Sequence, residues 1–152
     1  MSKYYTPDIS EFYVGFKYQI QRGFEDYYRG IRECIEMSAA YSHCQFQRTS
    51  DLTMIAHAID SDFKEMIRVK YLDQSDIEEL GFEYAGQDEV AKGVFYTDYN
   101  STKDSYRITV EPNRRVEIAF CGSQRLTEFH GIIKNKSELK KVLKMIGYDI
   151  RT

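Results

Sequence analysis

The sequence predicts an α+β fold: one domain over residues 1–152, with a curved, mainly antiparallel sheet packed on a C-terminal amphipathic helix and on a second helix near residues 51–60. Three observations predict it. Leu139, Val142, Leu143 and Ile146 recur at helical spacing and make one apolar stripe that must be buried against something. Short runs alternating apolar and polar residues, separated by turn residues, fill most of residues 82–133 and read as an antiparallel meander. The composition, with 13 Tyr, 9 Phe and no Trp, favours pleated, half-buried strands.

Taken in order, Thr6-Pro7 disfavours helix in an extended lead-in. Residues 11–21 alternate Phe12, Val14, Phe16, Tyr18 and Ile20 with more polar positions, which predicts one strand. Residues 22–50 read as a long insertion: a polar, aromatic loop between glycines, then residues 31–40 with Ile31, Cys34 and Ile35 at helical spacing, then a short strand through Cys44 and Phe46. The whole region alternatively forms one long excursion from the sheet. Thr49 or Ser50 can cap a helix whose stripe is Leu52, Ile55, Ala56 and Ile59. Residues 67–72 alternate as a strand.

Asp73 or Ser75 can cap the next short helix, Ser75 and Glu78 having capping-box spacing, with Gly81 as its left-handed stop. Strands are then predicted over 82–85, 90–99, 106–111, 116–121 and 127–133. Asn135, with Glu138 three residues on, is the predicted N-cap of the last helix, and Gly147 its end.

The 152 residues, 42% apolar and 30% charged, suit a soluble globular domain with a real core. A net charge of -3 disfavours bulk electrostatic binding to nucleic acid while leaving room for a local basic patch. Three cysteines without a CxxC pair point to a reducing compartment rather than a disulfide framework. The first residues carry no signal-peptide run, and no stretch is long enough to span a bilayer.

The sequence carries no phosphate loop, dinucleotide fingerprint or HExxH. Cys34 with His43 and Cys44 is the nearest approach to a metal cluster, but adjacent strand residues point apart, so no metal or cofactor is expected. Cys44, Cys121, His57 and His130 supply residue types for thiolate chemistry, which needs a base beside the sulfur; Cys121 reads better as a small core residue. The acidic pairs Glu25-Asp26, Glu78-Glu79 and Asp60/Asp62 read as solvated surface.

Two groups remain as binding candidates. Arg22, Phe24, Tyr27, Tyr28, Arg29 and Arg32 mix cations with aromatics, as protein interfaces and single-strand platforms do. Lys140, Lys141 and Lys144 lie in a C-terminal segment with six cations, Lys134, Lys136, these three and Arg151, against Glu138 and Asp149. A solvated face with cations toward the helix C-terminus explains the second group equally simply.

Three segments carry a resemblance: Glu11-Phe12-Tyr13-Val14-Gly15-Phe16-Lys17-Tyr18; Ile67-Arg68-Val69-Lys70-Tyr71-Leu72-Asp73-Gln74-Ser75-Asp76-Ile77-Glu78-Glu79-Leu80-Gly81-Phe82; and Gly131-Ile132-Ile133-Lys134-Asn135-Lys136-Ser137-Glu138-Leu139-Lys140. In this order and spacing they resemble small uncharacterised proteins encoded by bacteriophages and prophages of gut bacteria of the Bacteroidetes type. The matching residues are strand and cap positions, so the resemblance implies an origin and no catalytic residue, and residues 22–50 depart from it most. The resulting expectation is a non-enzymatic, protein-binding module. It serves as a minor virion or assembly component or as a host-takeover factor, in the host cytoplasm or the virion. Its partner is a phage or host protein, or a second copy of itself. The alternative is a protein that binds a nucleotide or single-stranded nucleic acid, for instance to sequester a signalling nucleotide.

Overall fold

The computed structural model describes residues 2–8, 11–13, 15–21, 28, 30–38, 43–46 and 67–150. They form an α+β structure made mostly of strand, in two compact units, residues 1–71 and 72–152. The predicted class holds, with the strands divided between two antiparallel sheets. The helix predicted near 51–60 lies outside the described residues.

In the first unit the strands are β1 (Tyr4–Tyr5), β2 (Lys17–Ile20), β3 (Arg32–Ser38), β4 (His43–Phe46) and β5 (Ile67–Lys70), in the order β1-β5-β2-β3-β4. The strand predicted over 11–21 is shorter than its alternation suggests. The Phe16 amide donates to the Tyr13 carbonyl (2.9 Å), and among the described residues of this stretch only Lys17–Ile20 is strand. Phe12, Phe16 and Tyr18 are buried, as are Ile67 and Val69 of β5. Phe12 meets Phe16 and Tyr18 at ring separations of 4.8 and 5.7 Å. The helical reading of residues 31–40 is corrected: Arg32–Ser38 is a strand between β2 and β4, so Cys34 and Ile35 belong to a ladder rather than to a helix face.

The second unit opens with α1 (Gln74–Glu79) and continues as a five-stranded meander: β6 (Phe82–Ala91), β7 (Val94–Ser101), β8 (Tyr106–Val110), β9 (Arg115–Cys121) and β10 (Arg125–Ile132). The last helix, α2, is Lys136–Met145. Asp73 caps α1 with Asp76 as its partner, in place of the Ser75–Glu78 box. Predicted strands 82–85 and 90–99 are in fact one hairpin, turning at Lys92 and Gly93. Extra residues are accommodated at Ala85 and Val90 in β6 and at Glu128 in β10, where two residues face one on the partner strand.

The α2 helix forms where the sequence places it. The Glu138 amide donates to Asn135 Oδ1 (2.9 Å), and Glu138 Oε2 reaches back to the Lys134 amide (2.6 Å). The helix stops at Gly147, whose φ of 85° suits glycine. The amides of Gly147 and Tyr148 bond back to the carbonyls of Lys144 and Leu143 at 3.1 and 2.9 Å, a Schellman closure. Ten residues make a marginal helix alone, so α2 depends on its stripe. Leu139 and Leu143 are fully buried against Phe82, Tyr99, Ile108, Val116 and Ile118, with Val142 and Ile146 at the margin. Among the described residues no helix is long and apolar enough to cross a membrane.

Candidate functional site

The first unit assembles a cation–aromatic stack from three parts of the chain. In β5 the burial alternates: Ile67 and Val69 point inward, Arg68 and Lys70 to the other face. Antiparallel pairing sets Tyr4 opposite Lys70 and Gln19 opposite Arg68, so these residues share that face. The Arg68 guanidinium carbon lies 3.8 Å from the Tyr4 ring centroid and 3.9 Å from that of Tyr28. Arg68 Nε donates to Gln19 Oε1 at 3.0 Å. Tyr5, which pairs with Val69 and so belongs to the other face, stacks on Tyr71 at 4.6 Å, and the Tyr71 amide donates to the Lys3 carbonyl at 2.9 Å. The Gln19 bond and the two tyrosine rings orient the guanidinium. Each cation–ring contact in such a half-buried setting contributes on the order of 0.5–1 kcal/mol.

Of the residues predicted from sequence, the structure draws Tyr28 into this stack. The backbone of Arg32 pairs opposite Tyr18. Arg22, Phe24, Tyr27 and Arg29 lie outside the described residues. Lys140 is half-buried on α2, while Lys141 and Lys144 are exposed there. Arg68 and Tyr4 were not among the sequence candidates. The alternation of residues 67–72 marks Arg68 as an outward strand residue, but only long-range pairing with β1 and β2 reveals what surrounds it.

A second polar cluster lies on the face of the five-stranded sheet opposite α2. His130 Nε2–H donates to Glu111 Oε2 at 2.5 Å, and the Tyr96 hydroxyl donates to the same carboxylate, joining β7, the end of β8 and β10. Burial pushes the Glu111 carboxyl up, but the hydrogen bonds from His130 and Tyr96 and the charges of His130 and Arg115 outweigh it and hold the group below its ordinary value of 4.5. Tyr96 is pushed up by its hydrogen bond to Glu111 and by that negative charge. A depressed carboxyl pKa stabilises the folded state above the unfolded value, and this contribution is lost as pH falls through the folded value. The stability difference between the wild type and Glu111→Gln is accordingly expected to be full near neutrality and to shrink below pH 4.5. Urea midpoints of both proteins across that range measure it; a difference independent of pH would contradict the assignment.

The geometry also bears on the nucleophile and metal candidates. Cys121 pairs with Arg125 and His130 with Glu117, four rungs along the same ladder, or roughly 13 Å at strand rise. The ladder thus keeps this Cys and His apart. In the other sheet Cys34 pairs opposite Phe46 and Cys44 opposite Met37. Among the described residues no three His, Cys, Asp or Glu side chains converge as metal ligands do.

Comparison with protein-family models, curated proteins and solved structures returns no match.

Proposed function

We propose that the chain is a phage-encoded, non-enzymatic binding module that docks on another protein through the Tyr4–Arg68–Tyr28 stack. The observation that carries this reading is the arginine held within 4 Å of two tyrosine rings and bonded to Gln19. Tyrosine and arginine are the side chains that most often dominate protein interfaces. An arginine already ordered by its neighbours forfeits little rotamer entropy on binding. The phage origin rests on the resemblance of three segments, and it supports a role as a minor virion or assembly component or as a host-takeover factor. The partner is then a phage or host protein, or a second copy, met in the host cytoplasm or the virion.

The test is affinity capture of the tagged full chain from cells that express it, beside Arg68→Ala, with the bound proteins read by mass spectrometry. A stoichiometric partner is expected for the wild type and a loss of roughly tenfold or more for the variant, the effect of truncating an interface anchor. A partner retained equally by both proteins, or no partner, would overturn the proposal.

A second reading draws on the same stack. Two tyrosines, Arg68 and Lys70 on one face also suit a nucleotide or single-stranded nucleic acid. It predicts a salt-dependent shift of labelled oligonucleotides. No shift at low salt sinks it.

A further inference from the structure

The stack determines which valences of Arg68 remain for a ligand. A guanidinium has two π faces and five in-plane N–H donors. The rings of Tyr4 and Tyr28 both lie against the guanidinium, with the charged carbon within 4 Å of each ring centroid. The Nε donor is taken by Gln19 Oε1. What remains is the outer edge, Nη1 and Nη2, for which the described residues supply no acceptor. The open edge presents two parallel donors, the geometry that matches the two oxygens of a carboxylate.

We infer that Arg68 is an end-on receptor for a carboxylate, and that the surface around it takes an acidic segment of a partner protein. The charge pattern argues for this occupant. The strands β1 and β5 bring Arg68 and Lys70 to one face and contribute no acid to it. An aspartate or glutamate bonded to the Nη edge would be oriented by a guanidinium that cannot rotate without unstacking both tyrosines. Lysine at this position would keep the charge and lose both the fork and the stacking.

This inference rests on the binding reading above, and a different measurement tests it. The full chain, with isotope-labelled arginine, is titrated with three probes while the Arg68 guanidinium signals are followed by NMR. The probes are a capped glutamate-rich peptide, the same peptide with every glutamate replaced by glutamine, and inorganic phosphate. The glutamate peptide is expected to shift Arg68 saturably and the glutamine peptide to bind at least tenfold more weakly. Arg68→Lys, its folding checked by its amide spectrum, is expected to weaken the glutamate peptide by about tenfold despite its charge.

Equal binding of the two peptides overturns the inference, as does unchanged affinity in Arg68→Lys. A response to no anion overturns it in the wild type alone, whatever the variant does. Tighter saturation by phosphate than by the glutamate peptide reassigns the edge to phosphate and likewise overturns it. The two readings fail separately. Capture that depends on Arg68 without any response to glutamate removes the carboxylate and leaves the binding module; a glutamate response without Arg68-dependent capture does the reverse.

Discussion

Phe82→Ala is expected to lower the stability of the second unit by about 3–5 kcal/mol, the usual effect of deleting a buried aromatic ring. Phe82 opens β6 and is 1% exposed, at the centre of the core that α2 covers. Its ring also stacks on Tyr148, with centroids 5.0 Å apart and planes at 28°. Tyr148 is held from other sides too, edge-on to Tyr106 at 5.6 Å and by a 3.0 Å hydrogen bond between its hydroxyl and Ser101 Oγ. Removing Phe82 therefore opens a cavity and frees one side of the residue that fastens the segment after α2. Amide exchange at Ile108 and Ile118 in urea reads the opening free energy of this core. A double-mutant cycle of Phe82→Ala with Tyr148→Ala is expected to show a coupling of about 0.5–1.5 kcal/mol, the range for paired rings. Additive losses would mean that the two rings act separately.

Leu143→Ala is expected to lower the same opening free energy by about 2–5 kcal/mol, whereas Leu143→Met should change it by less than about 1.5 kcal/mol. Leu143 is completely buried on the α2 stripe, and its carbonyl accepts the Tyr148 amide that closes the helix. Alanine keeps the helix propensity and the carbonyl but leaves a void under the stripe. Exchange at the α2 amides separates the effects: loss of protection along the whole helix is expected, because the helix is held by its buried face. Loss confined to the last turn would assign the stability to the cap instead.

The legible parts of the fold were those where one local signal decides. The α2 helix has an N-cap, a stripe and a terminal glycine that agree, and the structure places all three as the residues imply. Strands β8 and β9 alternate without interruption and appear close to their predicted bounds. The misread parts are those where chain pairing overrides local pattern. Extra residues at Ala85 and Val90 break the period of two, and the apolar residues flanking Lys92 and Gly93 hide a two-residue turn, so one hairpin looked like two unrelated strands. Cys34 and Ile35 fall at helical spacing by composition, yet β2 and β4 recruit them into a ladder. In the first unit's site, Tyr28 stood out as an aromatic among cations, whereas Arg68 depends on partners 40 to 64 positions away along the chain, which no local window contains.

The extra residues in β6 and β10 have a consequence for how other chains can meet the second unit. These two strands are the borders of its sheet, and each irregularity kinks the row of main-chain amides and carbonyls it interrupts. A straight border accepts almost any extended polypeptide, because the backbone is the same in every sequence. A kinked border denies that indiscriminate attachment. The irregularities of the backbone thus discourage growth of this sheet.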